Sequence, residues 1–272
     1  MGSEHAEVVR LLWGPHPVPA RGPKPKLDLE RIARAGIEIA DADGLAEVSM
    51  QRVAAQLGVT KMALYRYVPG KAELVALMVD AAIGAYPVSR AQTQTQTQTQ
   101  AQAQARAEAQ VQAVAQAEGA GWRGRLEEWA RQLLGVFRRH PWALDATVGP
   151  RIMGPGELSW LERAVSALDG TGLTGAERMD AAVLLVGHVR GITHQARAAG
   201  PAGNPEAQLG AILADLMQVH GEQFPALTAA FASAARSGGQ DQAWEFGLQR
   251  ILDGLAAFID RLDGLPDGRG AE

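Results

Sequence analysis

Between Ser49 and Lys71 the chain reads SMQRVAAQLGVTKMALYRYVPGK, two short apolar-periodic segments hinged at one glycine. Ser49 caps the first, because its hydroxyl can accept from an otherwise unpaired N–H of the first helical turn. Val53, Ala54 and Leu57 form the inward face. Gly58 ends this helix, since glycine takes up positive φ at no steric cost and a tight interhelical turn needs it. Thr60 caps the second helix, whose buried side is Ala63, Leu64 and Val68. Pro69 and Gly70 stop it after barely two turns. A helix so short survives only by packing on its neighbours, which leaves its outer face open to a groove. Ala54, Gly58 and Leu64 occupy the positions that fix a helix-turn-helix.

The outer face is chemically matched to nucleic acid. Lys61, Tyr65, Arg66, Tyr67 and Lys71 present cationic and phenolic donors with no acid among them, as phosphate oxygens and base edges require. An ordinary helical hairpin needs neither that acid-free face nor those three small or apolar positions together.

On these residues the chain resembles the TetR repressor family. The resemblance runs from Leu29 to about Asp80 and includes the pattern Leu64, Tyr65, Val68, Lys71. It implies that Tyr65, Tyr67, Lys71 and the caps Ser49 and Thr60 hold phosphates, and that Gln51, Lys61, Met62 and Ala63 stand where the family reads bases. Tetracycline repressors carry a guanine-reading Arg where this chain has Gln51, so their operator is not expected here.

Upstream, RGPKPK from Arg21 to Lys26 is an extended basic arm, because its prolines disfavour helix. Arg21 and Lys24 either enter the minor groove beside the reading helix or belong to a solvated tail. From Leu29, the series Leu29, Ile32, Ala33, Gly36, Ile39, Ala40 has helical period, which places a first helix over the reading pair. Asp43-Gly44 ends it.

A net charge of −4 argues against nucleic acid only until it is divided. Residues 21–71 hold nine bases against six acids, a local +3 that leaves −7 for the remainder. That asymmetry fits a DNA footprint on an acidic protein. With 272 residues, 47% of them hydrophobic, the chain supports two domains with real cores. No apolar run reaches a membrane-spanning length, and the acidic start MGSEHAE lacks the charged and apolar regions of a signal peptide. The absence of cysteine leaves neither disulfides nor a thiolate zinc site. A cytoplasmic, non-membrane protein is expected.

The segment AELVALMVDAAIGAY after Lys71 reads as a connecting helix over 72–87 with Leu74, Leu77, Met78 and Ala81 on one side. A Gln/Ala/Thr-rich tract follows over 88–120. Its strict Thr/Gln alternation lacks an apolar face until Val111, so it reads as a tolerated insertion or a partner-contact segment rather than a strand. From Trp122 the pattern is helical throughout. Trp122, Leu126, Trp129, Leu133 and Phe137 make one stripe, closed by His140-Pro141. Further helices are expected over 157–168, 176–199, 207–220 and 243–262, and no strand signal with turn chemistry separates them.

The expected fold class is therefore all-α: an N-terminal three-helix DNA-binding domain with a helix-turn-helix, and a C-terminal helical-bundle domain for ligand binding and dimerisation. The domain limits follow as a flexible basic arm over 1–26, the reading head over 27–71, the connecting helix, the insertion, the second domain over 121–264 and a tail over 265–272. The second domain resembles, more weakly, that of the tetracycline-repressor branch, around Val186-Gly187-His188 and in the last helix. This implies a four-helix dimer interface from the long helix at 176 and the last helix. Leu184, Leu185, Ile251, Leu252, Leu255 and Phe258 fit either that interface or the monomer core. It also implies a ligand pocket, with Trp129, Leu133, Phe137, Trp142, Met153, Trp160, Val183 and Gly187 as candidate lining, whose aromatic content suits an apolar or planar ligand.

No cofactor, metal or catalytic constellation is expected. The six histidines form no His-x-x-x-His pair, and no nucleophile elbow, phosphate loop or dinucleotide fingerprint occurs. Tetracycline repressors bind their drug as a magnesium complex through a histidine and a glutamate, and the positions that align with those ligands, around Thr147 and Ala196, hold neither. The expected partners are a palindromic double-stranded operator, a second copy of the chain and a small-molecule effector. Three functions remain open: a ligand-released dimeric repressor, an activator or regulator governed by a protein partner, and an enzyme tethered to DNA.

Overall fold

The computed structural model describes residues 3–14, 27–84, 121–198, 205–237 and 243–263. The arm with Arg21 and Lys24, the Gln/Ala/Thr-rich tract and the tail from 265 lie outside the described residues. Those described are helical, joined by turns, with no strand among them. They fall into two units, residues 1–182 and 183–272.

The first unit begins with α1 (Ser3–Trp13). The arm expected over 1–26 is thus helical across its first half. Leu11 and Leu12 are buried, and the Trp13 indole N–H donates to the Met153 carbonyl at 3.0 Å. The acidic residues near the start hid an amphipathic pattern too short to read as a helix without the partner that buries it.

Helix α2 (Leu29–Asp43) starts on Asp28, whose carboxylate accepts from Arg31 N at 2.8 Å, and stops at Gly44, φ +91°. Ile32, Ala33, Gly36, Ile39 and Ala40 are buried, as the periodicity requires. After a single 3-10 turn at Leu45–Glu47 come α3 (Met50–Gln56) and α4 (Lys61–Tyr65), then α5 (Lys71–Ile83). Gly36 is where α2 and α5 cross: a Cβ there would lie 2.6 Å from the Met78 sulfur. On α5, Leu74 and Met78 face inward as expected, but Ala81 is exposed and Val79 and Ile83 join the core instead.

Helix α6 (Gly121–Arg139), the single turn α7 (Ala143–Ala146) and α8 (Pro155–Ser166) complete this unit, together with the start of α9 (Gly175–Ala198). A capping box starts α9: Thr174 Oγ1 accepts from Glu177 N at 3.3 Å while the Glu177 carboxylate accepts from Thr174 N at 2.8 Å.

The second unit continues α9 and adds α10 (Pro205–His220), α11 (Pro225–Ser237) and α12 (Ala243–Asp263). The residues that fitted either core or interface now separate. Leu185 and Leu252 are buried, joined by Val189, Leu248 and Ile259, whereas Leu184 is exposed alongside Val183 and Phe246. Ile251, Leu255 and Phe258 are half-buried. His188 stacks on Trp244, and a Cβ at Gly247 would collide with its ring.

Candidate nucleic-acid interface

Local hydrogen bonds shape the reading head as its sequence requires. Ser49 Oγ accepts from Arg52 N, and Thr60 Oγ1 from Ala63 N, each at 3.2 Å. After α3, Gly58 takes φ +65°. Val59 N then donates to Ala54 O at 3.0 Å and Gly58 N to Ala55 O at 3.1 Å, the paired bonds of a Schellman turn. Val53, Ala54, Leu64 and Val68 are buried, while Leu57 and Ala63 are half-buried. Helix α4 is only five residues long, so Tyr67 and Val68 follow it in a continuing turn that donates back to Leu64 O.

The outward face is well defined. Gln51, Lys61, Met62, Tyr65, Arg66, Tyr67 and Lys71 are exposed, and Met62 at 75% is among the barest large side chains described. Lys61 Nζ sits 5.6 Å from the Tyr65 ring centroid, which holds both side chains on that surface. The local charge is sorted as well. Arg34 pairs with Glu30, and Arg52 with Asp43 and Glu47. Lys61, Arg66 and Lys71 have no ion-pair partner among the described residues. The positive charge available to a ligand therefore lies at α4 and the start of α5.

This head is braced from behind by contacts that sequence reading missed. Asp41, on the last turn of α2, accepts from the Trp142 indole at 2.7 Å and meets His140 Nδ1 at 2.9 Å, across about a hundred residues of chain. The Trp160 indole donates to Gly84 O, just past α5, and the Trp129 indole to Trp160 O, both at 2.9 Å. Asp80 of α5 accepts from Glu157 N at 3.1 Å and lies beside the Gly156 N–H, which also favours its charged form. It supplies α8 with the cap that Gly154 has no side chain to give. Burial raises the Asp80 pKa above its usual range, the neighbouring Glu157 carboxylate adding to the rise and the two N–H donors opposing it. Glu157 itself is buried and clasped by Arg151, with Nη1 to Oε2 at 2.5 Å.

Of the side chains expected to line a ligand pocket, Trp129, Leu133, Phe137, Trp142 and Trp160 are buried in the first unit and Met153 is exposed there. Val183 and Gly187 are exposed in the second unit. The three tryptophans of the first group donate their indole N–H groups to protein acceptors.

A two-helix reader with capped ends, an exposed cationic face and a braced rear defines a helix-turn-helix DNA-binding protein. The comparisons with known proteins agree. The family model described as bacterial regulatory proteins, tetR family, matches residues 32–78, and that of the tetracyclin repressor-like C-terminal domain matches residues 114–259. A curated relative, the HTH-type transcriptional repressor DrrR1 of Streptomyces coeruleorubidus, is 34% identical over 265 residues, 95% of this chain and 88% of the relative. An HTH-type transcriptional regulator of Saccharopolyspora erythraea is 25% identical, with 86% of each chain covered. Among solved structures, apo ActR from Streptomyces coelicolor shares the fold at a TM-score of 0.60 and 21% identity, covering 89% of this chain and 99% of that one. The chain belongs to the TetR family and is a DNA-binding transcriptional regulator. No helix among the described residues is long and apolar enough to cross a membrane.

Proposed function

We propose that this protein is a homodimeric repressor that occupies a palindromic operator and is released by a small-molecule effector, in the cytoplasm where its DNA lies. Tyr65, Tyr67 and Lys71, with the caps Ser49 and Thr60, bind phosphates; Gln51, Lys61, Met62 and Ala63 choose the sequence. Arg21 and Lys24 add contacts from the arm. One head reads too few base pairs for useful specificity, so two copies place their α4 helices about one DNA turn apart, roughly 34 to 36 Å. The exposed Val183, Leu184 and Phe246 on α9 and α12 supply apolar surface for a second copy.

The observation that carries release by a ligand is the bracing of α5. Its first residue, Lys71, belongs to the DNA face, and its last turn is held by Asp80 on the α8 N-terminus and by the Trp160 indole on Gly84 O. A ligand that binds better to a different placement of α8 moves the head with it, and one without such preference moves nothing. The effector contacts lie among Trp129, Leu133, Phe137, Trp142, Met153, Trp160, Val183 and Gly187. The relative DrrR1, a transcriptional repressor, and the solved complexes of ActR with actinorhodin and with (S)-DNPA support the same reading. The helical domain binds rather than turns over its ligand.

Fluorescence anisotropy on the DNA upstream of the protein's own gene, with and without compounds made or exported by neighbouring gene products, tests this. Ligand-dependent release supports the repressor. Affinity indifferent to every compound but altered by a protein favours the partner-controlled regulator instead.

A further inference from the structure

A cavity of about 690 Å³ opens between α1, α5 and the segment after α7. It is distinct from the tryptophan cluster, none of whose residues lines it. Its walls are mostly apolar: Val8 from α1, Val75, Ala76 and Val79 from α5, and Ala146 and Ile152 from the opposite side. Helix α1 lies outside both stretches matched to the family, so one wall of the cavity comes from a segment those matches do not cover.

The polar lining is sparse and already sorted. Arg151 is committed to Glu157. Glu73 is buried and turned back over Gly70, with a carboxylate oxygen 2.8 Å from where a Cβ on Gly70 would stand. His5 sits exposed on α1. Lys71 remains as the lining cation without an ion-pair partner among the described residues. A cationic occupant would be repelled by that ammonium, whereas an anionic head pairs with it.

We propose that this cavity binds an amphipathic organic anion, its apolar body against Val8, Val75, Val79 and Ile152 and its anionic head paired with Lys71. Occupancy then withdraws Lys71 from the DNA backbone. That consequence rests on the phosphate-binding role proposed above for Lys71; the site itself does not.

Calorimetric titration of the full chain with decanoate, and with decanol as the neutral counterpart, tests the site without DNA. Decanoate is expected to saturate at one per chain. Ala76→Trp and Ala146→Trp fill the cavity from opposite walls, both at half-buried positions. Displacing two methylenes of the ligand from those walls weakens binding by about tenfold. Whichever variant keeps the wild-type circular dichroism and melting temperature is the one to read. Lys71→Gln weakens decanoate about fivefold and leaves decanol unchanged. No saturation below millimolar decanoate, or wild-type affinity in a folded cavity-filling variant, overturns the proposal, as does equal loss of both ligands on Lys71→Gln. If decanoate binds as described yet leaves affinity for a random-sequence duplex unaltered, the site stands and the phosphate role of Lys71 falls.

Discussion

Replacing Asp80 by alanine removes the carboxylate that caps α8 from across the unit, and the size of the effect follows from the bond it accepts from Glu157 N and from the neighbouring Gly156 N–H. Glu157 N loses its acceptor, the Gly156 N–H loses a neighbouring anion, and Gly154, at the cap position, has no side chain to replace the carboxylate. Loss of an N-cap costs about 1 kcal/mol, and a buried N–H left without a partner costs about 1 to 3 kcal/mol. Asp80 is only half-buried, so water recovers part of this and about 2 kcal/mol is expected. For a unit of this size that lowers Tm by roughly 4 to 8 °C. Asp80→Asn behaves differently, because the amide oxygen still accepts while the charge, whose desolvation raised the pKa, is gone. It is expected to lie within about 1 kcal/mol of wild type at pH 7. The pH dependence gives the sharper test. A carboxyl whose folded pKa is raised contributes stability that is complete below its ordinary value of 3.8 and is lost as pH rises through the raised value. Acidification toward that window therefore favours wild type over Asp80→Asn, and the two diverge in that direction only. Urea titrations of the three proteins at pH 7 and at stepwise lower pH measure this. Equal destabilisation by Ala and Asn, with no pH-dependent difference between Asn and wild type, would refute a cap weakened by desolvation.

Lys61→Ala is expected to change the ranking of operator sequences, whereas Lys71→Ala weakens all duplexes alike and lowers the salt slope by about one unit; identical behaviour in salt titrations on several duplexes would erase that division. Ser49→Ala and Thr60→Ala should each cost about 1 kcal/mol by denaturant titration, with Ser49→Asp, which restores the cap beside a phosphate contact, recovering stability but not DNA affinity. Trp142→Phe leaves Asp41 to His140 alone and should destabilise by about 1 kcal/mol. A double-mutant cycle with Asp41→Asn that shows no coupling would remove that brace from the account.

The reading head was legible because its determinants are local. Ser49, Gly58 and Thr60 act on groups within five residues of themselves, and the buried positions of α2 and α3 recur at the helical period. Most of the long helices after Trp122 were legible for the same reason. The bracing was not, since Asp41 meets Trp142, and Asp80 meets Glu157, at separations where nothing in either neighbourhood signals a partner. Helix α1 failed to show because its apolar face is two turns long and gains order from docking. The Thr174-x-x-Glu177 capping box was a readable signal that would have fixed the start of α9. The tryptophans carry a role their concentration did not announce: the indole N–H groups of Trp129, Trp142 and Trp160 are committed to protein acceptors.

Those commitments bear on how much energy a regulatory ligand must supply. Helix α5 cannot move with respect to α8 without stretching the bond from Glu157 N to Asp80 and the one from Trp160 to Gly84 O, and it cannot move with respect to α2 without displacing Met78 from the groove that Gly36 leaves open. Each bond is worth about 1 kcal/mol net, and displacing a buried methionine costs more. Coupling between two binding sites typically amounts to about 1 to 3 kcal/mol. A ligand on that scale cannot break the whole brace, so α8 and α5 travel together and the strain is relieved elsewhere. The weakest remaining hold on the head is the half-exposed Asp41, with Trp142 and His140 as its partners. On the release proposed above, the reading helices hinge on the α2 side, and Trp142→Phe should lower the energy a ligand needs to turn the head.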